Sequence, residues 1–412
     1  MRFLNPVISS SSKRKILYVC PLAHRGGHRP SAILTETMAL TSAGFEVALL
    51  TFNGFPHEGK HLQLEQLSVL SHDRISTLLL WLVTTLNCWT LTRNISILVE
   101  QFSTLLRAVL LRKKMRYDVI HLTDGDPFAF LVLFLSFFLK DYIWVIHLIF
   151  DPGSALGKID YSSLWFPIYR RSLNRNCFVF LCENEKIKKA YEGVINGLFN
   201  RKTIYFPLST RYVGNTYTKE EARLRLKLPV GKILFLCFGS QHSGKDLMVV
   251  ASACRDLANV EIVIAGKGSA DTIYHLKLAN NTIIIRDYYV PEHEKPLYYA
   301  AADAVIISYH KSFLERRSGA LLWDACKFGA MVIASDGGQI GELVKSFQVG
   351  LVFETENPVS LRNAIVHFFN LRQEDINIYK ENCKEFCASF SMESWSENYK
   401  VMLDNLFTNR HT

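Results

Sequence analysis

"RDYYVPEHEKPLYYAAADAVIISYHKSFLERRSGALLWDACKFGAMVIASDGGQIGELV", residues 286–344, alternates between two kinds of pattern. Its first residues close an apolar strand, "NTIIIRDYY" (281–289), and a Tyr-Val-Pro turn leads into the helical "HEKPLYYAAA". Asp303 opens a short apolar run of strand length, "DAVIISY" (303–309). An Ser318-Gly319 loop starts a helix over 319–328 that carries Asp324 and ends at Phe328-Gly329, and "MVIASD" (331–336) is again a strand. Short Val- and Ile-rich runs separated by helical stretches are βαβ units and imply a parallel sheet.

The same alternation extends upstream, through "KILFLCF" (232–238) and "VEIVIAG" (260–266). A separate series occupies the first half: "KILYVC" (15–20), a turn-rich "PLAHRGGHRP", a helix closed by Gly44, and the strand "EVALLTF" (46–52). Further strands are expected at "YDVIHLT" (117–123), "YIWVIHLIF" (142–150) and "CFVFLC" (177–182). Between the two series, residues 206–230 lapse into Pro, Gly, Ser and Thr and read as a linker. The expected organisation is a disordered lead-in over 1–13, a Rossmann-like domain over 14–205 and the linker. A second Rossmann-like domain over 231–388 follows, then an amphipathic helix within 389–412 that packs back on the first domain. Two doubly wound α/β domains facing across a cleft is the fold expected.

A chain of 412 residues with 49% hydrophobic and 21% charged residues can bury two cores. Its net charge of +9 favours anionic partners such as phosphates, nucleotide sugars or an anionic membrane surface. The cations are scattered rather than clustered with aromatics, which argues against nucleic acid. Nine cysteines form no C-x-x-C pair and several sit in apolar runs, as expected of reduced thiols in a cytoplasmic protein. The start has no apolar core of signal-peptide length. "PFAFLVLFLSFFLKDYIWVIHLIF" (127–150) is split by Lys140-Asp141 and reads as a buried helix followed by a buried strand. The leucine-rich stretch 75–111, ending in "LRKKMR" (111–116), reads either as a core-facing helix pair with a solvated basic end or as a peripheral docking face for a membrane.

"FLCFGSQHSGKDLMVV" (235–250) has the G-x-x-x-x-G-K spacing of a P-loop, but Asp246 stands where Ser or Thr would bind Mg²⁺. No nearby strand ends in a Walker-B acid. The order of features over 286–344 instead resembles the donor half of the two-domain (GT-B) retaining glycosyltransferases of the family-four-like group. That resemblance covers the second domain strongly and the first moderately, and makes the first the acceptor domain and the second the nucleotide-sugar domain. It implies that Lys245 neutralises a diphosphate, that Ser318 and Gly319 orient it at a helix start, and that Asp324 holds the ribose. Asp324 stands in the place of the second Glu of the family's E-x7-E motif; Arg316 stands in place of the first, with Glu315 beside it. Ser240 or Gln241 replaces the usual phosphate-site Arg, so Arg316 or Arg317 becomes a candidate replacement cation.

In the first domain Gly26-Gly27, within "HRGGHRP" (24–30), match the family's glycine-rich loop, while an ordinary tight turn is the plain alternative. His28 and Arg29 face either the cleft or solvent. His147 is either a sugar-facing histidine, as the resemblance implies, or a core histidine bonded to backbone. Lys267 lies in a Gly-x-Gly loop that the family uses near the nucleotide base, or in a plain turn; Glu342 is a helix-start residue or a cap. Asp124-x-Asp126 reads as a turn with caps rather than a metal site, and "EHE" (292–294) as a solvated turn. No cofactor and no metal are expected. The expected activity is metal-independent, retaining hexosyl transfer from a nucleotide sugar to a glycan or lipid-linked acceptor, in the cytoplasm or at the inner face of a membrane. The alternatives are a catalytically silent scaffold of the same fold and, less favoured, a P-loop NTPase.

Overall fold

The computed structural model describes residues 13–21, 29–52, 65–68, 89–123, 143–148, 178–192, 203–206, 208, 210–242, 244–268, 270–279, 283–314 and 319–408. These divide into two compact units. The first takes the described residues through His147, those of 178–180 and those from Ser396 onward; the second runs from Leu181 to Trp395, with Leu148.

The first sheet contains β1 (Lys15–Cys20), β2 (Glu46–Thr51), β3 (Glu65–Ser68), β4 (Val119–Leu122), β5 (Ile143–Leu148), β6 (Phe178–Cys182) and β7 (Thr203–Tyr205), in the order β3-β2-β1-β4-β5-β6-β7. The β1 pairings with β2 and β4 are parallel and in register, Tyr18 standing between Leu49 and His121. Helices α1 (Arg29–Ser42), α2 (Trp89–Met115) and α3 (Glu185–Glu192) accompany it. Central strands are buried along their whole length, as a sheet covered on both faces requires.

The second sheet contains β8 (Ile233–Phe238), β9 (Val260–Ala265), β10 (Ile283–Arg286), β11 (Ala304–Ile307), β12 (Val332–Ser335) and β13 (Gly350–Phe353), in the order β10-β9-β8-β11-β12-β13. Alternate residues of one strand serve opposite cores. Leu234, Leu236 and Phe238 join one with Val305, Ile307 and Val332, while Phe235 and Cys237 join the other with Ile262, Ile264 and Ile333. Around this sheet lie α4 (Lys219–Leu226), α5 (Leu247–Ala253), α6 (Ala270–Ala279), α7 (Lys295–Ala301) and α8 (Lys311–Leu314). After them come α9 (Ala320–Lys327), α10 (Gly338–Phe347), α11 (Pro358–Phe369), α12 (Gln373–Ser389) and α13 (Met392–Thr408).

Two details depart from the sequence reading. The stretch read as linker contains α4, because Thr218 caps it by accepting the amide of Glu221, a capping-box spacing hidden among the polar residues. The short edge strands β3, β7 and β13, three or four residues each, carry too little apolar pattern to stand out. From Ser396 on, α13 belongs to the first unit: Tyr399 meets His121 at 2.9 Å, and Arg14 pairs with Asp404 at 2.5 Å while lying over the Phe407 ring. No helix of the described residues is long and apolar enough to cross a membrane.

Candidate active site

Doubly wound sheets bind ligands beyond the carboxyl ends of the strands, where the strand order reverses. In the second sheet that point lies between β8 and β11. The loop after β8 is fixed there by its backbone: Asp246 donates its amide to Ser308 O at 3.1 Å, His310 donates to Gly244 O at 3.0 Å, and Lys245 bridges to Tyr309. Lys245 turns its ammonium back over the end of β8, donating to the carbonyl of Phe238 and, at 3.2 Å, to that of Gly239. It is only 9% exposed, and burial pulls its pKa down to about 8.

The P-loop spacing does not make a P-loop. Asp246 is the N-cap of α5 and accepts the Val249 amide at 3.2 Å. A carboxylate of the protein therefore sits where a P-loop helix would receive phosphate.

Helices α9 and α10 are built differently. Both start on a glycine, Gly319 and Gly337, and neither has a side-chain cap among the described residues. In α9 the Leu322 amide donates back to Gly319 O at 3.3 Å, so the amides of Ala320 and Leu321 and those opening α10 are the ones an anion would meet. Gly338 holds a φ of +64°, and a Cβ there would stand 2.5 Å from Leu314 O, so only glycine fits this entry. The loop after β8 and the start of α9 are neighbours. A methyl on Gly239 would lie 3.5 Å from both Lys245 Nζ and the Leu321 side chain, and one on Gly319 would lie 3.5 Å from the Tyr309 ring. Behind them Tyr309 stacks on Phe313 with centroids 4.6 Å apart, and the His242 ring lies 5.1 Å from that of Phe313.

Asp324, in the second turn of α9, is partly exposed and meets Lys295 at 3.3 Å. Lys295 also pairs with Glu292 at 2.7 Å. Burial lowers the pKa of this lysine, but Asp324 and Glu292 outweigh it and the net shift is upward. Glu292 thus belongs to a partly buried ion cluster rather than to a merely solvated turn. The sequence reading missed Lys295; its signal was a lysine beside Pro296 at a helix start. Gln241, the other residue read in place of the phosphate-site Arg, is 5% exposed; its backbone amide donates to Lys267 O at 2.8 Å and its side chain to Gly239 O at 2.5 Å.

Ser240 and Lys267 lie at the same edge. Ser240 Oγ is 3.5 Å from Lys267 O, and the exposed Lys267 ammonium is 3.4 Å from Asp287. Asp287 accepts the Gly268 amide at 2.9 Å, and that bond, followed by the salt bridge, lowers its pKa. Glu342 lies a full turn inside α10, exposed, and does not cap it. His147 is 3% exposed in the first unit, its ring 6.2 Å from that of His121. Gly26, Gly27, His28, Asp124, Asp126, Arg316, Arg317 and Ser318 lie outside the described residues. Lys245, Ser240, Lys267, Gly319 and Asp324 are brought to the carboxyl-terminal edge of one sheet and the helix that follows it.

Residues 218–386 match the family model for Glycosyl transferases group 1. The matched stretch takes in the second sheet with the helices around it, from α4 to most of α12, and is what this part of the chain is similar to. Sucrose-phosphate synthase from Thermosynechococcus elongatus is similar over 96% of this chain and 100% of its own, with a TM-score of 0.67 at 14% identity. A glycosyltransferase from Rickettsia africae ESF-5 gives 0.67 at 15% identity over 96% and 99% of the two chains. Anabaena Alr3699/HepE in complex with UDP-glucose gives 0.65 at 14% identity over 95% and 99%. These likenesses show the GT-B fold. No curated protein matches the chain significantly in sequence. Among the described residues of the second unit, the start of α9 and the ammonium of Lys245 lie at the switch point and are able to hold an anion.

Proposed function

We propose that the chain is a retaining glycosyltransferase that moves a hexose from a nucleoside-diphosphate donor to a glycan or lipid-linked acceptor. One observation carries this reading: a buried lysine stands beside a glycine-started, uncapped helix at the switch point of the second sheet. Lys245, with Gly319 and Ser318, would hold the diphosphate, and Asp324, steadied by Lys295, would accept the ribose hydroxyls. Ser240 and Lys267 would line the nucleotide side, Arg316 would supply a second cation, and Gly26 and Gly27 would let backbone approach from the first unit. The relative bound to UDP-glucose supports a uridine donor. Retention through a front-face pathway asks for no protein base, because the leaving phosphate takes the acceptor proton, and no metal is needed where Lys245 neutralises the diphosphate.

Calorimetry with UDP, GDP and ADP tests the reading. UDP should bind, and Lys245→Ala should weaken it at least tenfold while the thermal transition persists, with loss of turnover in a screen of nucleotide sugars. Absence of diphosphate binding by the wild-type chain would favour a silent scaffold. Mg²⁺-dependent hydrolysis of a nucleoside triphosphate would favour the P-loop reading, against which the Asp246 cap argues.

A further inference from the structure

A second polar constellation lies in the core of the first unit, and the reading above does not use it. Glu36 on α1, His121 on β4 and His147 on β5 are 3%, 0% and 3% exposed. One ligand atom from each can be chosen so that all three lie within 4.8 Å of one another. These residues come from three separate elements, and no local motif announces them.

The surroundings orient the donor atoms. Tyr18 donates its hydroxyl hydrogen bond to Glu36 Oε2 at 2.5 Å, and its ring stacks on His121 with centroids 4.6 Å apart. Tyr399, from α13, meets His121 Nδ1 at 2.9 Å and also stacks on that ring, with centroids 5.5 Å apart. His121 Nε2 is fully buried and has no hydrogen-bond partner among the described residues. An unpartnered ring nitrogen in a core is costly, and native proteins rarely leave one unsatisfied. With Nδ1–H donating to the Tyr399 oxygen, Nε2 presents a lone pair. An outer hydrogen bond of this kind fixes the tautomer of metal-ligating histidines.

We propose that Glu36, His121 and His147 bind one divalent transition-metal ion, zinc foremost, as a structural element of the first unit. Two imidazoles and a carboxylate form a donor set suited to zinc, with the fourth position of a tetrahedron left for water. Ligands about 2.0–2.1 Å from a tetrahedral ion lie roughly 3.4 Å apart, so the cluster closes by at most about 1.4 Å through side-chain rotation. The ion would add positive charge beside a buried carboxylate and tie α1 to two central strands. Its role is independent of donor binding on the second sheet.

The test uses the full chain, unfolded in a chelator and refolded with or without one equivalent of Zn²⁺ or Co²⁺. Expected are one ion per chain, intense visible cobalt bands of a four-coordinate site, and a higher thermal transition in the metal-loaded protein. Zinc-edge absorption of the wild type should show two imidazoles and no sulfur. His121→Ala and Glu36→Gln should each lower metal affinity a hundredfold or more. His310→Ala should keep it, because His310 belongs to a different cluster, with Asp246 and Glu356. The proposal falls if the refolded wild type takes up no metal, if its ion has a single imidazole, or if His310→Ala removes it. Should His121→Ala fail to fold, the absorption spectrum of the wild type still decides.

Discussion

Lys245 is the residue on which the proposed chemistry turns, and its burial makes a pH signature. The folded-state pKa of about 8 lies below the ordinary lysine value, so the unfolded chain binds more protons between about pH 8 and 10.5. Stability gained through this group therefore rises with pH across that window. Below about pH 8 the full cost of burying the ammonium is present, on the order of 3 kcal/mol. A dianionic diphosphate reverses the preference by favouring the charged lysine. UDP affinity should accordingly fall as pH rises above about 8, by up to tenfold per unit, and binding at pH 9 should take up a proton. Calorimetry in two buffers of different ionisation enthalpy checks this; a flat affinity from pH 7 to 10 in the wild type would remove Lys245 from the anion site. Asp303 illustrates the converse, a motif residue whose role is structural. Its carboxylate pairs with the 3%-exposed Arg223 at 2.6 Å and accepts the Leu234 amide at 2.7 Å, while Arg223 also bonds the carbonyls of Ala301, Val230 and Lys232. That cluster pins α4 and α7 to the start of β8.

Among the elements, α2 carries a surface that its packing does not explain. Gln101, Thr104, Leu105, Ala108 and Leu111 are buried, yet Phe102, Leu106 and Leu110, one turn apart, are 50%, 52% and 55% exposed. Arg107 lies on the same helix, and Lys114 and Arg116 stand at its basic end. An apolar stripe ending in cations suits an anionic lipid surface, which is the setting of a lipid-linked acceptor. The chain should float with vesicles containing anionic phosphatidylglycerol, less so at high salt, and Leu106→Glu with Leu110→Glu should cut binding at least tenfold with the fold intact. Equal flotation of that double variant would leave the stripe without this role. The choice between core helix and docking face was open in the sequence because apolar residues occupy both faces of α2; burial separates them.

At the scale of the whole molecule, seven described cysteines are buried, and burial raises the pKa of Cys237, Cys254 and Cys387 to about 12. Thiols of this kind act as small hydrophobes and react poorly. Reductant should leave the thermal transition unchanged, and iodoacetamide at pH 8 should label these three thiols only after unfolding. Mass spectrometry of labelled peptides reads this directly; rapid labelling of the native chain at any of them would contradict the packing.

Two parallel sheets could be read from the chain by itself, because a strand covered on both faces must be apolar along its length and the helices between such strands must be amphipathic. The glycine-started helix at Gly319 and the lysine after β8 were legible for the same reason: anion binding needs particular residue types at particular places in a βαβ unit. Tertiary structure alone decided that Asp246 caps α5, that Lys295 holds Asp324, and that Glu36, His121 and His147 meet in one core. Those contacts join residues from separate elements, and the sequence periodicity of an element says which face it buries but not which polar atom it meets there.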